Sequence, residues 1–332
     1  MRAVVTGGGG FLGAEIVRQL RARGDEVLVI GRGRYPAVEA LGATCEPWDL
    51  SEEKPGLERL FEGADAVFHT AARAGVWGPE AEFRAINTDG TRRVVAACQT
   101  SGVPRLIYTS SPSVTFDGGD VENGTEASCP IPETFEAYYP ATKAAGERLV
   151  LAANSGALRT TALRPHLIYG PGDPHLLPRL LAKAKQKRLA IVGDGKNKVG
   201  LTYVENAAAA HLCAADALAA GGANAGRAYF ITDAEPVLLW DWINAFLAGV
   251  GAPPVSRRIS RSTARAGGAI LETLWRWFSL SGEPPMTRFV ASQLATSHYY
   301  DLRGARDDLG YTPAVTGEAG LAATISAFRS SP

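Results

Sequence analysis

The chain carries no surplus of charge of either sign: 34 Lys and Arg stand against 34 Asp and Glu over 332 residues. A phosphate-tracking excess of basic side chains is missing, which argues against a nucleic-acid partner. Long apolar runs are missing too. The longest stretch free of Asp, Glu, Lys and Arg covers residues 242–256 and is broken by Gly249, Gly251, Pro253 and Pro254. That is too short and too interrupted for the roughly 20 apolar residues of a membrane-spanning helix. The start, Met1 to Thr6, leads into Gly7 to Gly10 and not into a signal-peptide core, so a cytoplasmic location is expected. Cysteine is scarce: Cys45, Cys98, Cys129 and Cys213 lie far apart with no Cys-x-x-Cys, and the 5 histidines are equally scattered. This spacing offers neither a disulfide framework nor a metal-ligand set, and it predicts reduced structural thiols and no metal.

What is present is a globular composition, 46% hydrophobic with 37 glycines spread without a period, which excludes disorder, collagen and coiled coil. The length suits two domains, or one large domain with a cap. Up to Pro165, short β-branched runs alternate with amphipathic stretches, the pattern of a parallel sheet covered on both faces. Strands are predicted at Arg2 to Thr6, Glu26 to Ile30, Ala66 to Thr70, Arg105 to Ser110 and Thr160 to Arg164. Between the first two, Leu12, Ile16, Val17 and Leu20 recur at helical spacing and Gly24 stops the helix. Beyond Pro165, Gly- and Pro-rich loops such as Gly170-Pro171-Gly172-Asp173-Pro174 separate helices. They predict a smaller cap whose segments interleave with the sheet. The Ala-rich stretch Ala207 to Ala220 reads as a packed helix.

Thr6-Gly7-Gly8-Gly9-Gly10-Phe11-Leu12-Gly13 follows the first strand and opens the first helix. Gly7 permits the tight turn, Gly10 lets a pyrophosphate approach the backbone, and Gly13 allows close helix packing, while the helix N-terminus offers free N–H groups and a positive dipole end. In that setting the glycines predict a dinucleotide site, with Phe11 and Leu12 beside them, on a doubly wound Rossmann sheet. Residues 1–165 form the expected cofactor domain. Residues 166–332 form the expected substrate-binding portion, with some segments returning to the sheet. The second strand ends in Gly31-Arg32-Gly33-Arg34, and the acids Asp25 and Glu26 sit at its other end. Arg32 suits a 2′-phosphate, so NADP(H) is favoured over NAD, unless Arg32 only stacks on adenine. Asp49, next to Leu50, either accepts from the adenine amino group or caps its own loop.

Tyr139-Pro140-Ala141-Thr142-Lys143 puts a phenol and an ammonium four apart, on one helical face. A nearby Lys⁺ favours phenolate, so a lowered Tyr139 pKa is expected, fitting it for acid catalysis near neutral pH. Ser110, Ser111 and Ser113 follow an earlier strand.

These residues resemble the extended short-chain dehydrogenase/reductases, which share the glycine pattern, the strand-terminal serine and the Tyr-x-x-x-Lys. Further matches are His69-Thr70-Ala71-Ala72, Asn87-Thr88-Asp89-Gly90-Thr91, Arg164-Pro165, Tyr169-Gly170-Pro171-Gly172 and Tyr203-Val204-Glu205-Asn206. The resemblance implies Tyr139 as the acid and Lys143 as the ribose-binding residue that tunes it. It implies Ser111 as the catalytic hydroxyl, with Ser110 the alternative, Asn87 as a support, and Leu50, Ala71, Ala72, Pro165 and Ile168 as further cofactor contacts. His298-Tyr299-Tyr300-Asp301 and Ala305 to Pro313 are similar to the 3β-hydroxysteroid dehydrogenase-like branch.

Within that branch, Ala74 to Gly78, Gly172 to Leu180 and Gly282 to Phe289 resemble the group that reduces long-chain 2-alkyl-3-oxoalkanoic acids with NADPH in bacterial olefin biosynthesis. The resemblance implies a hydrophobic keto acid as substrate and a homodimer, assembled or not with other enzymes of that pathway. A 3β-hydroxysteroid or sterol-4-carboxylate dehydrogenase is the alternative activity. A non-catalytic NADP-binding scaffold and an epimerase or dehydratase stand behind it. Trp77, His175 and Arg179 are candidate substrate residues, and Arg179, Arg261, Arg265 and Arg288 candidates for a carboxylate. The apolar stretch Ala264 to Leu280, with Trp275, Trp277 and Phe278, either packs as core, roofs an acyl pocket or lies on a membrane surface.

Overall fold

Seven parallel strands make the central sheet: β1 (Arg2–Thr6), β2 (Glu26–Gly31), β3 (Thr44–Pro47), β4 (Ala66–His69), β5 (Arg105–Thr109), β6 (Arg159–Pro165) and β7 (Arg227–Ile231). Their order is β7-β6-β5-β4-β1-β2-β3. The structure, a computed structural model, describes residues 1–330, so the last two positions of the 166–332 portion lie outside the described residues. Val4, Val5, Val29, Val67, Phe68, Leu106 and Ile107 are buried on both faces of the sheet, as parallel strands covered by helices on either side require.

The chain winds outward from β1 through β2 and β3, then returns to β4 on the other side of β1. Ligands of such sheets bind in the crevice beyond the strands' C-terminal ends at this reversal. The doubly wound α/β fold matches the expectation. β7 was not foreseen as a strand; Arg227 to Ile231 pair with Thr161 to Pro165.

The helices used below are α1 (Phe11–Ala22), α2 (Thr91–Thr100), α3 (Tyr138–Ala152), α4 (Leu176–Lys185), α5 (Val204–Ala219), α6 (Leu239–Gly249), α7 (Arg261–Trp277) and α8 (Arg288–Ala295). α1 buries Leu12, Ile16, Val17 and Leu20 along one face and stops before Gly24, whose φ is +86°. The small side chains Ala207, Ala208, Ala210, Ala214 and Ala215 of α5 share one core with Ile16, Val17, Leu20, Tyr229 and Ile231. Alanines at those positions let α5 lie close to α1 and the sheet.

A second core under the cap gathers Leu177 of α4, Trp240, Trp242, Ile243 and Phe246 of α6, Ala264 of α7 and Ala291 of α8. Small two- to four-residue strands, including Val121–Gly124, Lys198–Val199 and His298–Tyr300, stitch the cap together. Among the described residues no helix is long and apolar enough to cross a membrane.

Candidate active site

The glycine loop joins β1 to α1 at the reversal point. Gly7 has φ +73°, and a Cβ there would stand 2.7 Å from the Ala71 amide nitrogen, so the turn and its contact with the loop after β4 both require glycine. Gly13 lies under the Gly7 carbonyl, where a Cβ would come within 2.2 Å of the oxygen. Gly10 is the N-cap of α1 and is exposed; no side chain caps the helix and its first turn holds no acid. The leading N–H groups of α1 therefore face the crevice without a protein partner, a cradle suited to an anion. Tyr35, which sequence reasoning passed over, packs its ring across Gly9 and Gly31.

At the neighbouring strand end Arg32 is exposed, and Arg34 is instead taken by Glu39 at 3.0 Å. The Asp49 loop lies beside them through the Trp48 N–H donating to the Gly31 carbonyl at 2.6 Å. Asp49 Oδ1 accepts from the Ser51 N–H and hydroxyl at 2.8 and 2.7 Å, the loop-capping arrangement. Burial raises the Asp49 pKa, but the Ser51 bonds and the charge of Arg32 outweigh it and leave the carboxyl below its usual range. Leu50 is buried, Ala71 and Ala72 follow β4, Pro165 ends β6 and Ile168 lies just beyond it. The cofactor candidates thus collect along one edge of the sheet.

α3 carries Tyr139, Lys143 and Glu147 at i, i+4 and i+8 over the ends of β5 and β6. Lys143 Nζ donates to the Thr109 carbonyl at 2.5 Å and stands 4.1 Å from the Tyr108 ring centroid. Burial draws its pKa down to about 7, against which the Glu147 carboxylate pulls upward. The lowered Tyr139 pKa expected from Lys143 is not found. Burial of the phenol raises it, and only the hydrogen bond with Ser111 acts in the opposite direction. The physical reason is that Lys143 donates to the Thr109 carbonyl, and burial of the phenol outweighs the Ser111 bond.

The two serines part company here. Ser110 is buried and donates to Glu147 Oε2 at 2.6 Å, while Ser111 bonds Ser113 Oγ at 2.9 Å and faces Tyr139. Asn87 projects from a single π-helical segment, Ala85–Gly90, of the kind that marks functional sites. Its amide accepts from the Arg73 N–H at 2.8 Å and donates to the Thr142 hydroxyl at 3.1 Å, tying the loop after β4 to α3. Nearby His69 is buried and held neutral, its pKa lowered to about 3 by burial and then by Lys143.

A cavity of about 1140 Å³ opens beside α3. Tyr138 and Ala141, flanking Tyr139, line it with Trp77, Trp275, Arg276, Leu280 and Phe289; Tyr139 and Ser111 lie outside its wall. The core reading of Ala264 to Leu280 fails for most of its length. Only Ala264, Gly268 and Glu272 of α7 are buried; Glu272, Trp275 and Arg276 border this hollow, while Ile270, Leu274 and Trp277, with Phe278 and Leu280 after the helix, are exposed.

Trp77 is at the wall, whereas His175 and Arg179 are not: His175 is exposed beside Asp173, and Arg179 is engaged by Glu283 at 3.1 Å. The other carboxylate candidates are engaged as well, Arg261 by the Gly118 carbonyl, Arg265 by Glu136 at 2.8 Å and Arg288 by Glu272 at 2.8 Å. Arg276, absent from the sequence-based candidates, lines the cavity and has no carboxylate partner among the described residues.

Fold and site together define an oxidoreductase of the extended short-chain dehydrogenase/reductase type. The chain belongs to the 3-beta hydroxysteroid dehydrogenase/isomerase family, whose profile matches residues 4–260. It is 49% identical to the 2-alkyl-3-oxoalkanoate reductase of Stenotrophomonas maltophilia (strain K279a), over 97% of each chain. It is 36% identical to the human sterol-4-alpha-carboxylate 3-dehydrogenase, decarboxylating, over 99% of this chain and 88% of that one. Among solved structures it resembles MoeE5 in complex with UDP-glucuronic acid and NAD, with a TM-score of 0.73, 25% identity and 99% of each chain covered.

Proposed function

We propose that this chain reduces a long-chain 2-alkyl-3-oxoalkanoic acid to the 2-alkyl-3-hydroxy acid with NADPH, on a route to olefins. The observation that carries the reading is the convergence of Tyr139, Ser111 and Lys143 beside a cavity whose wall combines Trp77, Trp275, Leu280 and Phe289 with charged groups such as Arg276 and Arg288. The bare N-terminus of α1 over a glycine cradle supports a dinucleotide, and exposed Arg32, which forms no ion pair among the described residues although Asp49 lies near it, supports the 2′-phosphate.

In this reading Gly7, Gly10, Phe11, Leu12 and Gly13 hold the pyrophosphate. Arg32, Asp49 and Leu50 hold the adenosine half, and Ala71, Ala72, Lys143, Pro165 and Ile168 hold the nicotinamide half. The bound cofactor supplies hydride to the ketone carbon. Tyr139 delivers a proton to the ketone oxygen, Ser111 donates a hydrogen bond to that oxygen, and Lys143 steadies the phenol's charge as the proton leaves. Asn87 keeps the loop after β4 against α3. Residues 1–165 serve the cofactor, and the portion from residue 166 onward encloses the alkyl chains.

A second reading, oxidation of a sterol-4-carboxylate, is favoured by the human relative, and its 3-oxo product is also a β-keto acid. One assay separates them. NADPH consumption is followed with 2-alkyl-3-oxo acids of increasing chain length, their methyl ketones and 3-oxosteroids. At about 0.8 kcal/mol per buried methylene, four added carbons should raise kcat/KM by roughly two orders of magnitude until the cavity is full. Equal turnover of short ketones lacking the carboxylate contradicts the proposal, and turnover of the steroids alone replaces it with the second reading.

A further inference from the structure

Glu147 is a buried carboxylate, fully shielded from solvent, that neither the motif nor the proposed chemistry uses. It follows Lys143 by four residues on α3, so the two share a helical face. Its Oε2 accepts from the Ser110 hydroxyl at 2.6 Å and from Arg164 Nε at 3.0 Å, and its Oε1 accepts from Arg164 Nη2 at 2.6 Å. Arg164 belongs to β6, and Ser110 immediately follows β5 and immediately precedes Ser111. One carboxylate thus pins the helix that carries Tyr139 and Lys143 to both strands beneath it.

The surroundings of Lys143 give that carboxylate a second consequence. β5 offers Lys143 the Tyr108 ring and the Thr109 carbonyl, β4 offers the neutral imidazole of His69, and α3 itself offers Tyr139. Beyond these, the only charge acting on Lys143 among the described residues is that of Glu147. An ammonium buried without a nearby anion gives up its proton readily.

We propose that Glu147 is a positioning residue for the reduction: it fixes Ser110, and through it Ser111, against α3, and places a negative charge one helical turn from the Lys143 amine. This rests on the reading of Tyr139, Lys143 and Ser111 as the reacting group. Glu147 does not touch the substrate. It works through the ammonium that steadies the phenol and through the backbone that carries the serine.

Lys143 is titrated by NMR of protein labelled at the lysine Cε, without substrate or cofactor, and kcat/KM is measured against pH in parallel. In Glu147→Gln the Lys143 midpoint should fall by about one pH unit or more, and the limb of kcat/KM that declines with rising pH should move down with it. Because that variant strands the buried Arg164 guanidinium, Glu147→Gln/Arg164→Met is made beside it. Replacing a buried ion pair by neutral groups of similar volume is tolerated, and the same downward shift is expected. Glu147→Asp, which keeps the charge, should lower kcat and leave the limb where it is. A folded Gln variant with an unmoved Lys143 midpoint overturns the proposal, as does an Asp variant whose limb shifts as far as that of Gln. If the wild type reduces no ketone, the proposed function fails while the lysine titration still decides the role of Glu147.

Discussion

The Arg276 guanidinium stands 5.4 Å from the ring centroid of Trp77, linking the end of α7 to the loop after β4 across the rim of the cavity. An exposed contact of this kind contributes about 0.5–1 kcal/mol. Arg276→Ala should therefore raise KM for a long-chain keto acid about two- to five-fold, with kcat and NADPH affinity unchanged. A variant in which kcat falls and KM holds would place Arg276 closer to the chemistry than the rim.

Cofactor choice turns on Arg32. In a fluorescence titration NADPH should bind at least about tenfold more tightly than NADH, a difference of about 1.4 kcal/mol, and Arg32→Ala should remove most of that preference. Equal affinities in the wild type would show that the arginine reads adenine or nothing at all.

Tyr139→Phe should lower kcat by about 10²- to 10⁴-fold while leaving NADPH binding nearly intact. Retention of more than half the activity would mean that another group supplies the proton. The serines give a paired control. Ser111→Ala should slow kcat and cost about 0.5–2 kcal/mol of stability, because the Ser111 hydroxyl also caps the turn Pro112–Thr115 by accepting from the Ser113 N–H. Ser110→Ala removes one of three donors to the buried Glu147 carboxylate, which keeps both Arg164 bonds, and should lower the thermal midpoint by the worth of one hydrogen bond to a charged group, about 1.5–3 kcal/mol.

Acid should destabilise the fold through its buried histidines, since burial shifts His166 and His298 down as well. Burial holds His69 at about 3 and His211 at about 4, with the Lys143 charge adding to the effect on His69. Between those values and the ordinary histidine pKa of about 6.5, the unfolded chain binds protons that the folded chain refuses, so stability declines as pH falls through that window. The melting temperature should be lower at about pH 5 than at pH 7, and His211→Gln should narrow the difference. Melting curves that coincide at the two pH values would contradict this.

The chain's local patterns determined five of the six sheet strands up to residue 165, the glycine turn and the pairing of Tyr139 with Lys143. Each depends on neighbours within a few residues: alternation of apolar runs, a φ that only glycine adopts freely, and a four-residue helical repeat. The same repeat would have singled out Glu147, one turn beyond Lys143, had the motif not ended at the lysine. Tertiary structure decided the rest. Ser110 and Ser111 are alike in sequence, and only the arrival of Glu147 from α3 and Arg164 from β6 distinguishes them. Lys143 reads as a permanent cation until the packing of Tyr108, Thr109 and His69 strips its water away. Trp275 and Arg276 become walls of a cavity because α7 meets segments far earlier in the chain, around Trp77 and Tyr138, while Trp277 and Phe278 stay in solvent. Burial and charge at a site are sums over groups distant in sequence, and folding alone brings those groups together.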